Sequence, residues 1–371
     1  MRDLRIDKLA TVLVNYSTNI QKGEKCLIEA FDIENELVKA IIEKVYERGG
    51  HPFVQIRNKS VTRAILKGAS EDTISLMAKY DEFIMKDMDA YIGIRGGNNV
   101  YELSDVDGDI NAISSSVYSK RVHHEIRVNN TKWVVLRYPN EGMAQLGGMS
   151  TEAFEDFYFN VCTLDYSKMD KAMDSLVEIM QKTDKVRLVA KDTDLTFSIK
   201  GMPAIKCSGE RNIPDGEVYT APIKNSVNGV ITYNAPSISQ GIKFENVRLE
   251  FKDGKIINAT ANYTDKLNEF LNVDDGARYV GEFAIGVNPF ITKPMGDILF
   301  DEKISGSIHF TPGACYEECD NGNKSSLHWD LVLMMDKAFG GGEIYFDDVL
   351  IRKDGVFTIP ELSSLNPENL K

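Results

Sequence analysis

The feature that most limits what this chain can fold into is a change of character near residue 185. Before it, short apolar runs alternate with stretches that place apolar residues at helical spacing. Residues 25–31 read as a strand. Residues 34–48 follow with Leu37, Ile41, Ile42 and Val45 on one helical stripe, and Gly49-Gly50 ends it. The pattern repeats: a strand over 52–57, helix over 62–88 with a break near Gly68, strand over 90–94, helix over 105–127, strand over 133–138. Such alternation predicts a mostly parallel sheet with helices on both faces. A long helical region over 151–183 carries Met169, Met173, Leu176 and Met180 at spacings that form one core-facing stripe.

After residue 185 the runs shorten and turn signals separate them. Strand-like segments cover 186–190, 195–200, 229–233, 247–251 and 255–261, and Phe251-Lys-Asp-Gly-Lys-Ile256 is an Asp-Gly hairpin signal. One helix is expected over 264–271, and residues 343–351 and 353–359 repeat the strand pattern. The chain is 371 residues long, too long for one ordinary core. The expected fold is therefore an α/β N-terminal domain over 1–185 with a mostly parallel sheet, followed over 186–371 by an α+β, antiparallel β-rich domain.

Charge and composition narrow the function. The net charge of −13 argues against nucleic-acid binding, which needs a basic face, and suits a protein that collects cations. No run approaches the length of a membrane span, and no apolar segment follows the charged, amphipathic N-terminus, so a cytoplasmic protein is expected. Cys26, Cys162, Cys207, Cys315 and Cys319 are odd in number and scattered, which fits free thiols in a reducing compartment. Cys315 and Cys319 lack a second ligand pair at zinc-finger spacing.

The chemistry-bearing residues fall in the second half. Glu217 leaves the turn Pro214-Asp215-Gly216 at the start of a short strand, well placed to line a cleft. Glu282 lies within the apolar run Tyr279-Val-Gly-Glu-Phe-Ala-Ile-Gly-Val287, where charge is rare. His309 lies in another strand-like run, 305–313. In Leu327-His-Trp-Asp-Leu-Val-Leu-Met-Met335, read as a buried strand, His328 and Asp330 are two apart and project to one side. A carboxylate buried there needs a partner, either a metal or a hydrogen-bonded imidazole. Taken singly, Glu217 also reads as a surface residue and His309 as a satisfied core histidine. Together the two Glu, two His and one Asp make up the mixed N and O donor set of a site for two divalent ions.

In their order and spacing, Gly216-Glu-Val-Tyr-Thr-Ala-Pro222, Val280-Gly-Glu-Phe-Ala284, Leu299-Phe-Asp-Glu-Lys303, Ile308-His309 with Tyr316 downstream, and Leu327-His-Trp-Asp330 resemble the thermophilic aminopeptidase T-type metallopeptidases. The resemblance covers most of the chain, including an N-terminal α/β domain. It implies metal ligands Glu217, Glu282, His309, His328 and Asp330, with Glu302 as an additional or outer ligand. It implies catalytic roles for Glu282, as a bridging ligand that assists proton transfer, and for Tyr316, as a hydrogen-bond donor to the oxyanion. It further implies two divalent ions (zinc, cobalt or manganese), peptide substrates with a free N-terminus, and head-to-tail homodimers that enclose the active sites. Phe310-Thr-Pro-Gly313 departs from the small residues that follow the family's histidine.

Two other readings stay open on the residues alone: a di-metal amidase or carboxypeptidase acting on other amides, and a non-catalytic two-domain binding protein. Elsewhere, His123 and His124 adjoin in a charged helical stretch and are expected on a solvated face. His51 leads into a strand and reads as structural. Arg95-Gly-Gly-Asn-Asn lacks the Lys-Ser/Thr of a phosphate-binding loop, so no nucleotide is expected.

Overall fold

The computed structural model describes residues 3–99, 101–239 and 241–371. The chain divides into two compact units. One holds Met1–Thr163 with Gly209–Ile213, and the other Leu164–Ser208 with Pro214–Lys371.

In the first unit a five-stranded parallel sheet runs in the order His51–Arg57, Lys25–Phe31, Ala90–Arg95, Lys132–Arg137, Asn212–Ile213. The connection Asn35–Glu47 leads to one neighbour of the first strand, and the helices Lys59–Lys67 and Glu71–Met85 lead back over it to the other. Right-handed crossovers in opposite directions place helices on both faces, as the alternation predicts. Leu27 and Tyr91 pack on one side against Ala78, Met85, Val122 and Ile126. The helical break near Gly68 separates those two helices, each started by a side-chain cap, Asn58 and Ser70. The region expected to be one helix over 151–183 is two, Thr151–Cys162 and Tyr166–Lys182, and Asp165 caps the second. Only His124 of the adjoining histidines is exposed. His123 turns inward, edge-on to Tyr91 at 6.2 Å and Tyr118 at 5.8 Å, and burial together with Arg127 pushes its imidazole down to about 4. Residues flanking it at helical spacing, Val122 and Ile126, are core residues, which rotates His123 off the solvated face.

The second unit is a sandwich of two antiparallel sheets. The eight-stranded sheet runs Lys255–Thr260, Arg248–Lys252, Asn228–Thr232, Thr193–Ser198, Lys185–Ala190, Gly342–Phe346, Val349–Lys353, Val356–Phe357. The Asp-Gly turn joins its first two strands as the sequence signal predicts. The tail expected as one strand over 343–351 is a hairpin instead, because Asp347 and Asp348 both adopt positive φ. The five-stranded sheet runs Val332–Met334, Ser307–Pro312, Val280–Gly286, Glu217–Thr220, Ile205–Cys207. Phe197 of the first sheet meets Phe283 and Phe310 of the second, each at 5.0 Å between ring centres, and this contact marks the core between the sheets. The stripe Met169, Met173, Leu176 and Met180 on Tyr166–Lys182 is buried in this unit. No helix among the described residues is long and apolar enough to cross a membrane.

Candidate metal centre

Strand parity decides which side chains leave the core. Phe283 and Phe310 point between the sheets, so Glu282, His309 and Thr311 point to the opposite face of the five-stranded sheet. The register sets Glu282 opposite Thr311 and Ala284 opposite both His309 and Tyr219, with Glu217 opposite Gly286. A bulge between Val280 and Glu282 shifts the pairing at the point where the carboxylate leaves the strand. The segment carrying His328 and Asp330 is not the full strand expected. Only Val332–Met334 forms a ladder. Residues 327–331 still follow the strand Ser307–Pro312 through single bonds, Trp329 N to Pro312 O and Leu331 O from Phe310 N, so the alternation survives: Trp329 and Leu331 are buried while His328 and Asp330 turn to the site.

Glu282 is the centre of the group. Its Oε1 lies 3.0 Å from His309 Nε2 and its Oε2 3.5 Å from His328 Nε2. His309 Nδ1 faces Glu217 Oε2 at 3.4 Å, and His328 Nε2 faces Asp330 Oδ1 at 3.3 Å. Among the described residues two donor sets, Glu217–Glu282–His309 and Glu282–His328–Asp330, share Glu282, and a third group, Cys207–Asp215–Glu217, meets the first at Glu217. Thr311 donates its hydroxyl to Asp330 Oδ1 at 2.6 Å. His328 Nδ1 lies 2.8 Å from the Ala314 carbonyl, which can only accept, so the proton belongs on Nδ1 and Nε2 is left to ligate. Gly281 allows the Ala314–Cys315 backbone to come this close, since a Cβ there would lie 2.0 Å from the Ala314 oxygen.

Electrostatics favour a cation at this place. Burial opposes charge on His309, yet Glu217 and Glu282 outweigh it and push the imidazole up to about 10. Burial likewise opposes charge on His328, and Asp330 with Glu282 pushes it up to about 10. Burial raises Asp330, but His328 beside it holds the carboxyl well below the usual range. Glu217 is raised by burial, partly offset by Lys303. The donor set also fits metal by its unsatisfied atoms. Glu217 Oε2, His309 Nδ1 and His328 Nε2 are buried without a hydrogen bond among the described residues, a costly state unless something else binds them.

Tyr316 stands at the edge of the group. Its ring lies 4.9 Å from that of His328 and 5.6 Å from that of Tyr219. It is 47% exposed, but the protein around it and the carboxylate of Glu282 raise its phenol well above the ordinary value, so the hydroxyl stays a donor. Glu302 belongs to neither donor set. Its Oε1 lies 2.7 Å from Lys303 Nζ, and burial pushes its carboxyl up to about 8. Asp301, its neighbour, instead accepts the Met295 and Gly296 amides and pins the preceding loop.

The residue that the sequence reading passed over is Lys303. It is 1% exposed, with Nζ 2.5 Å from Glu217 Oε1, 2.7 Å from Glu302 Oε1 and 3.5 Å from Asp215 Oδ1. Burial opposes its charge, and Glu217 and Glu302 overcome that and hold it well above the ordinary lysine value. A signal existed: Lys303 lies between buried Phe300 and Ile304 next to a candidate carboxylate, and a buried lysine needs partners. Cys315 and Cys319 take no part in either donor set. Their thiols donate to Asp320 and Asn323, and to Pro203.

The chain is similar to Aminopeptidase 2 of Geobacillus stearothermophilus, 25% identical over 395 residues covering 94% of each chain. Its fold matches that of wild-type AmpT from Thermus thermophilus with a TM-score of 0.80 at 19% identity, over 96% of this chain and 99% of that one. It also matches 2,5-dihydroxypyridine dioxygenase from Pseudomonas putida KT2440 with a TM-score of 0.61 at 12% identity, over 97% and 98%. These structural likenesses show the fold alone, and a fold that hosts an oxygenase leaves the chemistry to be argued from the site. The family described as thermophilic metalloprotease (M29) matches residues 2–357, and the chain therefore belongs to that family of peptide hydrolases.

Proposed function

We propose that the chain is an aminopeptidase that releases N-terminal residues from peptides with a water activated at two divalent ions. The observation that carries this is the sharing of Glu282 by two adjacent donor sets. Glu217 and His309 would hold one ion, His328 and Asp330 the other, and Glu282 both. Zinc, cobalt and manganese all suit such mixed donors. With all ionised, Asp215, Glu217, Glu282, Glu302 and Asp330 stand against the single ammonium of Lys303, and the excess equals the charge of two divalent cations. Bound ions supply Lewis acidity at the scissile carbonyl and an acidified water.

The chain's own groups do the rest. Tyr316 keeps its proton and donates to the oxyanion as it forms. Glu282 assists transfer of the water's proton toward the departing amine. A bound ion or a carboxylate at the rim of the site anchors the substrate's free α-amine, which accounts for a preference for a free N-terminus. The test is hydrolysis of matched peptides, N-acetylated and free, by protein reconstituted with zinc, cobalt or manganese. Cleavage of the free peptides alone is expected. Equal cleavage of the blocked ones would favour an amidase or carboxypeptidase.

We further propose a homodimer, in a cytoplasmic setting that suits five free cysteines. Leu76, Tyr80 and Phe83 form an exposed apolar stripe on Glu71–Met85, and Phe53 and Ile56 are exposed on the edge strand His51–Arg57. Light scattering should give a dimer for the wild type and a monomer for Tyr80→Lys/Phe83→Lys. A monomeric wild type overturns the proposal.

A further inference from the structure

Lys303 has no direct place in either donor set, yet it is the most enclosed charge beside them. An ammonium has three protons and no acceptor, and here three carboxylates surround it: Glu217 Oε1 accepts a hydrogen bond, and Glu302 Oε1 and Asp215 Oδ1 stand at ion-pair distances of 2.7 and 3.5 Å. The consequence for Glu217 is specific. One of its oxygens is committed to Lys303, while the other, Oε2, has no hydrogen bond and faces His309 Nδ1. Glu302 is held as well: its Oε1 is ion-paired with the same ammonium at 2.7 Å.

Local structure is built to put Lys303 there. It follows the short helix Ile298–Asp301, and its backbone carbonyl accepts the Asn288 amide, which ties the segment to the end of Val280–Gly286. Gly286, opposite Glu217 in the register, has no side chain because a Cβ would lie 2.4 Å from the Ile304 carbonyl and 3.1 Å from that of Glu302. The sheet thus makes room for the 302–304 backbone directly over the Glu217 position.

We propose that Lys303 is a positioning residue for the metal centre: it ties down one oxygen of Glu217 so that the other alone is open to a metal, and it keeps Glu302 as an outer carboxylate rather than a ligand. This rests on the metal-dependent reading above. A single partner would suffice to bury a lysine; three carboxylates, one of them Glu217 of the set shared with Glu282, give the ammonium control over which oxygens remain free. Without it Glu217 can turn either oxygen, and Glu302 is released toward the same space.

The test uses the full chain as wild type, Lys303→Met and Glu302→Gln, each stripped of metal and titrated with Co²⁺ by calorimetry and visible absorption, with thermal unfolding of the metal-free forms as a folding control. The wild type should bind two ions. Lys303→Met should keep one site and bind the second ion about 10–100-fold more weakly, the range for loss of an outer partner. Its Co²⁺ absorption should change, and kcat should fall with KM little altered. Glu302→Gln should bind both ions within about twofold of wild type, as expected of a group that is no ligand. If Lys303→Met does not fold, Glu302→Gln carries the test. A Lys303→Met protein with wild-type affinities and spectrum, or a Glu302→Gln protein that loses an ion, overturns the inference while leaving the metal centre intact. A wild type that binds no ion overturns the metal reading itself, and this inference with it.

Discussion

Glu282 Oε1 lies 3.0 Å from His309 Nε2, although the two residues are 27 positions apart. The strand register and the bulge beside Glu282 bring them together on the face turned away from the aromatic core. Because Glu282 also serves the second donor set, its loss should cost more than the loss of any other ligand. Glu282→Gln is expected to lower kcat by about a thousandfold or more, with thermal stability of the metal-free protein close to wild type. An active Glu282→Gln protein with full metal content would remove Glu282 from the mechanism.

Tyr316→Phe should separate oxyanion stabilisation from metal binding. Metal content should stay unchanged, since Tyr316 is in neither donor set. Activity should fall by about a hundred- to a thousandfold, the range for removing one oxyanion donor. A variant that keeps its rate would assign Tyr316 a packing role against His328 and Tyr219.

Metal removal should be reversible and should cost stability. Chelation is expected to abolish activity and lower the unfolding temperature, and zinc, cobalt or manganese should restore both. Free metal at a hundred times its dissociation constant stabilises a folded site by about 2.7 kcal/mol. Unfolding midpoints that ignore metal concentration would count against a preformed centre.

Gly286→Ala tests the approach of the 302–304 backbone. The added Cβ meets the Ile304 carbonyl at 2.4 Å. A cost of about 1–3 kcal/mol is expected from the overpacking, along with weakened Co²⁺ binding as Lys303 shifts from Glu217. Unchanged binding would show that the segment tolerates displacement.

Acid should loosen the first unit through His123. Its imidazole is held near 4 when folded, against an ordinary value near 6.5. The unfolded chain therefore takes up this proton first, and the stability present above about 6.5 drains as pH falls through about 4. The full effect is about 3 kcal/mol. Amide protection factors in Ala90–Arg95, taken against the intrinsic exchange rate at each pH, should fall between pH 7 and pH 4.5 in the wild type, and less so in His123→Gln.

Much of this was legible in the sequence, for identifiable reasons. Parallel strands with helical crossovers carry long, periodic patterns, so Lys25–Phe31 and Asn35–Glu47 stand almost where the periodicity puts them. Strand parity at His328 and Asp330 needed only local alternation, and it holds even though the ladder there is broken. What the sequence did not display was pairing at a distance. Nothing local says that Gly286 faces Glu217, or that this vacancy of side chain admits Lys303. Two-residue strands such as Asn212–Ile213 carry no period to detect, and the inward turn of His123 depends on which helical face meets Tyr91.

In the proposed centre one carboxylate, Glu282, serves two metal ions. The most direct measurement is anomalous diffraction from crystals of the protein reconstituted with zinc or cobalt. Two peaks about 3.5–4 Å apart are expected, one among Glu217, Glu282 and His309 and one among Glu282, His328 and Asp330. A single peak, or two that do not share Glu282, would contradict it.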